Sequence, residues 1–123
     1  MGVSHYDMSA GHRKLEHRFH LERGKEVKAL LRKYQELYEW AMQSGDYAVV
    51  DVLVDASRAM RLAKLTDRQK ECIALHLILD MKASDVADIL GISQSLVSQS
   101  VNSGCYRIAQ VFKAWNYMER ANK

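Results

Sequence analysis

The run from Leu65 to Val101, LTDRQKECIALHLILDMKASDVADILGISQSLVSQSV, constrains the fold of this chain more than all the remaining residues together. Its apolar spacing and punctuation read as helix, short link, helix, tight turn, helix. The tightest pattern lies inside it, in ASDVADILGISQSLVSQSV. Ala87 is small where two helices must cross closely. Gly91 stands just past an apolar turn, where the chain needs a residue that tolerates the left-handed conformation. Ser93 follows, with a hydroxyl able to cap the next helix. Val86, Leu90, Ile92 and Val97 fall where such a unit buries apolar side chains.

Between those apolar positions the third helix offers Gln94, Ser95, Ser98, Gln99 and Asn102. Hydroxyls and amides both donate and accept, and Gln or Asn can pair bidentately with adenine in the major groove. Helix, tight turn and polar second helix are the parts of a helix-turn-helix reader of double-stranded DNA. These five residues are therefore the expected base-reading set, on the face opposite Leu96, Val97 and Val101. From Gln94 to Tyr106 the helix has no Lys or Arg, so the charge that meets phosphate must come from elsewhere. Arg107 lies a turn further along, and Arg68, Lys70 and Lys82 lie beside the reader; these four are the expected phosphate contacts.

The residues Leu65-Thr66, Arg68-Gln69, Glu71, Leu75, Val86-Ala87, Leu90-Gly91-Ile92-Ser93 and Val97 together resemble the fourth conserved region of bacterial sigma factors. The stretch Asp55–Met60 leading into Leu65–Gln69 also resembles short sigma-like regulators carried by phages and mobile elements. The resemblance covers the last half of the chain. It implies upstream-promoter DNA as ligand and RNA polymerase as a partner. Three positions depart from the family pattern. Lys82 stands where the family has a hydroxyl cap, so Ser84 or Asp80 is expected to serve. Ser103 stands where a basic residue is usual. Gly104 replaces the common alanine and weakens a helix by about 1 kcal/mol.

The expected fold is all-α, with residues 1–64 as an N-terminal helical segment for support or dimerisation and 65–123 as the sigma-like reader with a long C-terminal helix. A short helix is expected over 11–24, with Leu15 and Phe19 on one side. From Lys25 to Met42, the residues Val27, Leu30, Leu31, Tyr34, Leu37, Tyr38 and Ala41 keep the helical spacing and predict one long helix. Ser44-Gly45-Asp46 ends it and caps the next. Val49, Val50, Val52 and Val54 favour a strand by propensity. No second strand exists to pair with them, so Asp46–Lys64 is read as a helix apolar on more than one side. Thr66 and Gln69 form a capping box. His76 is read as a packed or half-exposed core histidine. After Val101 the chain continues as one long helix, or as two with a bend at Gly104, along the stripe Ile108, Val111, Phe112, Trp115 and Met118.

With 123 residues and no proline, the chain suits a single helical domain of the usual size, about 100–150 residues. Its net charge of +3 does not by itself point to nucleic acid. The distribution is more telling: Arg13, Lys14, Arg18, Arg23, Lys25, Lys28, Arg32 and Lys33 form a basic tract, and Arg58, Arg61, Lys64, Arg68 and Lys70 a second. Either can hold phosphates or form a solvated face. Cys72 and Cys105 lie far apart on apolar positions, which predicts two reduced core thiols and a cytoplasmic setting. No secretory signal or membrane span is expected.

No catalytic constellation is present: there is no glycine-rich phosphate loop, no His-Glu-x-x-His and no cysteine cluster. His5, His12, His17 and His20 lack a convincing metal spacing and are read as surface. No cofactor, metal or enzymatic activity is expected. The residues predict a sequence-specific DNA reader, and the resemblance implies that it is a transcription regulator of phage or mobile-element origin; a homodimer is expected because a single uncharged reader binds weakly. The chain leaves no room for the second module of a full sigma factor. Two rivals remain open: a DNA-packaging protein of the small-terminase kind, and a module that binds polymerase or a sigma partner without reading DNA.

Overall fold

The computed structural model describes the backbone of residues 21–121 and the side chains of 21–116. The expected 11–24 helix and the four N-terminal histidines therefore lie largely or wholly outside the described residues. All regular structure in the described part is helical. In chain order it comprises α1 (Gly24–Arg32), α2 (Tyr34–Ser44), α3 (Tyr47–Leu62), α4 (Asp67–Ile73), which widens into a π turn (Ala74–Ile78), α5 (Ala83–Leu90) and α6 (Gln94–Ala121).

The expected helix over 25–42 is two helices. Lys33 leaves the helical region at φ −99°, ψ 6°, and its N–H donates to Leu30 O in a tightened last turn. A one-residue break without Gly or Pro does not disturb the 3–4 spacing, so periodicity cannot see it. The break divides the apolar stripe between two partners. Val27, Leu30 and Leu31 of α1 are buried in the main core with α6, whereas Ala41 of α2 is buried with Val49 and Leu53 of α3, and Leu37 packs against both groups.

Gly45, at φ 70°, closes α2 by donating to Ala41 O. Asp46 caps α3, its Oδ1 accepting from the N–H groups of Ala48 (3.0 Å) and Val49 (3.3 Å). The valine run is helical, as read from the lack of a pairing strand. α3 is indeed apolar on two sides: Val49 and Leu53 face α2, while Val52, Ala56 and Ala59 face the main core. Lys64 then takes a positive φ of 53°, and Arg107 of α6 donates to its carbonyl at 2.7 Å.

The capping box forms as expected: Gln69 N–H donates to Thr66 Oγ1 (3.1 Å) and Thr66 N–H to Gln69 Oε1 (3.0 Å). The core then collects Cys72, Ile73 and Leu77 against Val97, Val101, Cys105, Ile108, Ala109 and Phe112. Both cysteines are free and buried. Burial raises both thiol pKa values, that of Cys105 to about 12.

α6 is a single unbroken helix of 28 residues, with no interruption at Gly104. A Cβ built at Gly104 would lie 2.6 Å from Ile73 Cδ1. The glycine lies where the terminal methyl of Ile73 on α4 packs directly against α6, so an alanine there would require that side chain to shift. The C-terminal stripe is used inside the chain. Phe112 is buried, Trp115 meets it edge-on at 5.3 Å, and the Arg58 guanidinium sits 5.4 Å from the Trp115 ring. The side chain of Met118 lies outside the described part.

Candidate nucleic-acid interface

The reader is built on a crossing of α5 and α6. Val86 and Val97 are fully buried at that crossing, and Ala87 is nearly so, which its small side chain permits. Leu90 and Ile92 are half-buried around it. Gly91 adopts φ 67°, ψ 38° and donates to Ala87 O, and Ile92 N–H reaches the same carbonyl. This double closure ends α5 and reverses the chain within two residues. Ser93 Oγ then accepts from Leu96 N–H at 3.1 Å and starts α6. The left-handed glycine and the serine cap both form where the sequence indicates.

The start of α5 differs from expectation. Neither Ser84 nor Asp80 caps it; Lys82 occupies the cap position by backbone geometry alone, without a side-chain bond. Ser84 already lies inside the first turn. Asp80 sits two residues ahead of the cap at φ 56°. The chain is brought there by the π turn: Leu79 N–H donates to Ala74 O and Met81 N–H to Leu75 O. His76, half-buried as expected, holds that bend with Nδ1 2.7 Å from Met81 O. A carbonyl only accepts, so Nδ1 carries the proton. That leaves Nε2 to accept from Arg32 of α1 at 3.4 Å.

Gln94, Ser95, Ser98, Gln99 and Asn102 are all exposed on the first turns of α6. Val97 and Val101 face inward, but Leu96 is 39% exposed. One residue before Val97 turns it off the packed stripe, toward the flank of the polar face. Ser100 faces inward instead, beside Cys72.

The four cations expected at phosphate differ in surroundings. Arg68 and Lys70 are exposed on α4, with Arg68 3.8 Å from Glu71. Lys82 is exposed at the start of α5. Arg107 turns back to the end of α3, where Lys64 O takes one of its N–H groups. A fifth cation stands closer to the polar face. Lys28 of α1 donates to Asn102 Oδ1 at 3.3 Å. The two residues are 74 positions apart, so only the packing of α1 on α6 brings them together; the sequence offered Lys28 merely as one member of a basic tract.

A short helix crossing the start of a long one through a small residue, with a left-handed glycine, a serine cap and a polar outer face, has the form of a helix-turn-helix. Residues 61–110 match the family model of sigma-70, region 4, which supports a DNA-binding helix-turn-helix of the sigma region-four kind over that span. No curated protein and no solved structure matches the chain. Among the described residues, no helix is long and apolar enough to cross a membrane, and no group of three or more His, Cys, Asp or Glu is placed to hold a metal.

Proposed function

We propose that the protein is a sequence-specific transcription regulator, encoded by a phage or mobile element and acting in the cytoplasm. It reads the major groove with the first turns of α6 and has no catalytic activity of its own. Residues 65–123 are the DNA-binding segment, and the helices within 1–64 support it and pair two copies. Gln94, Ser95, Ser98, Gln99 and Asn102 meet base edges. Arg68, Lys70, Lys82 and the open N–H groups of Arg107 meet phosphates. The observation that carries this reading is the uncharged, hydrogen-bonding face at the start of α6, exposed while the opposite face is locked into the core. Gln99→Ala then weakens the preferred duplex by about 1–3 kcal/mol and random duplex little. Equal loss on both would mean that this helix does not read bases.

The surface available for pairing is on α2 and α3, since the apolar faces of α1 and of α6 near Phe112 are covered within the chain. Tyr38, Met42 and Val54 remain exposed there, around a groove that Val50, Ser57 and Arg61 complete, and Tyr47 is exposed at the start of α3. Two copies of α3 set antiparallel about Val54 bring Tyr47 of each near Arg61 of the other, and Asp51 near Arg58. This self-complementary pattern suits a two-fold dimer. Two readers on a palindrome with half-sites about one helical turn apart would offset the weakness of each. Light scattering should give a dimer at micromolar concentration and a monomer for Val54→Asp. A wild-type monomer, free and on DNA, would refute the pairing, and a ring of many copies would favour the packaging function.

A second reading has its own support. Leu79, Ile89 and Leu96 are large apolar side chains exposed on the reader segment itself. They suit a protein surface such as RNA polymerase rather than solvent. Retained polymerase binding by Gln99→Ala, with loss in Ile89→Lys, would support that contact.

A further inference from the structure

The recognition half of α6 lacks cations, yet the structure sets a row of them along its flank. α1 runs antiparallel to α6 and close against it. A Cβ on Gly24 would lie 3.2 Å from Tyr106 N, so the two backbones nearly touch at that end. One turn along α1, Lys28 reaches Asn102. A further turn along, Arg32 reaches His76 in the π turn that leads to α5. Lys25, Lys28 and Arg32 are spaced three and four apart and share one side of α1. Val27, Leu30 and Leu31 fill the core side, and Glu26 falls on the other flank. Lys28 is half-buried, its stem along apolar surface and its ammonium at the edge of the polar face.

We propose that Lys25, Lys28 and Arg32 form a phosphate-binding row for duplex DNA, supplied by α1 to the recognition helix from outside the sigma-like segment. The inference rests on the DNA-reading function proposed above. A helix in the major groove has a phosphate strand on each side, and a cationic helix flanking it meets one of them. Lys28 has a second effect. It occupies a lone pair of the Asn102 amide oxygen, and the amide nitrogen is a donor by its chemistry. A bidentate adenine contact uses oxygen and nitrogen together, and Lys28 competes for the oxygen. The pair is suited to a phosphate or a base acceptor.

The full chain is titrated against a fluorescent random-sequence duplex over a range of NaCl concentrations, and against a duplex enriched from a random pool. Lys28→Ala and Arg32→Ala should each make the plot of log affinity against log salt shallower by about one unit on both duplexes. Lys28→Arg should keep the slope, and Lys33→Ala, on the opposite flank, should leave it unchanged. Unfolding midpoints of the same variants separate loss of contact from loss of fold. Unchanged slopes for folded Lys28→Ala and Arg32→Ala, with sequence preference still lost in Gln99→Ala, would overturn the row alone. Absence of duplex binding by the wild type would overturn both the row and the reading it rests on.

Discussion

Replacing Gly104 by alanine sets two opposed effects against each other on one buried helix. Alanine favours a helix interior over glycine by about 1 kcal/mol. Against that, the new methyl group would stand 2.6 Å from Ile73 Cδ1, a side chain with no exposed surface. Forcing an extra methyl into a packed core costs about 1–3 kcal/mol. The net expectation for Gly104→Ala is a destabilisation of about 0–2 kcal/mol. Ile73→Val removes the clashing atom and alone costs about 0.5–1.5 kcal/mol. The next contacts of the new methyl, 3.4 Å to Gln69 Cβ and 3.6 Å to Ile73 Cγ1, are ordinary. In the Ile73→Val background, Gly104→Ala should therefore stabilise by up to about 1 kcal/mol. Urea unfolding followed by circular dichroism on the four proteins of this cycle measures the coupling. Independent sites would add to within about 0.5 kcal/mol. Coupling no larger than that, or an equal gain from alanine in both backgrounds, would refute the account of why glycine stands there.

Arg107→Ala should lower stability by about 1 kcal/mol through loss of the bond to Lys64 O, and an unchanged unfolding midpoint would show that the guanidinium is free to serve DNA alone. Cys105 should resist a thiol reagent at neutral pH until the chain unfolds, since burial pushes its pKa to about 12 from the ordinary 9.0. Because the folded state holds this proton more tightly, its contribution is fully present below the unfolded thiol value. It declines as pH rises from about 9 toward 12. Cys105→Ala should flatten that part of the stability profile, and a profile that rises over this range would contradict the sign.

What could be read from the sequence is the structure written in neighbouring residues. The Asp46 and Ser93 caps, the Thr66–Gln69 box and the Gly91 turn each close a bond within a few positions, so local chemistry is enough. The helical fate of the valine run was also legible, because a strand with no partner cannot satisfy its backbone. What escaped depends on packing. Lys33 breaks a helix without any breaker residue, because α1 and α2 pack on different partners. Lys82 caps α5 through backbone geometry imposed by a π turn that no local pattern announces. Leu96 was grouped with the buried stripe although it sits one step beyond its edge. Gly104 looked only like a weak point, since Ile73 lies on another helix. In the candidate interface, the polar face was readable as a period along α6, whereas the approach of Lys28 to Asn102 was not.

The continuity of α6 makes the reader a lever arm with no joint. Ser95 and Phe112 lie on one rigid rod, roughly 25 Å apart at the helical rise of 1.5 Å per residue. A tilt of about 5° at the Phe112 end would swing the reading end by roughly 2 Å over that length. Hydrogen bonds to base edges tolerate only a few tenths of an ångström. If the first turns of α6 read bases as proposed, small repackings around Phe112 and Trp115 would therefore surface as errors of sequence choice before they surfaced as unfolding.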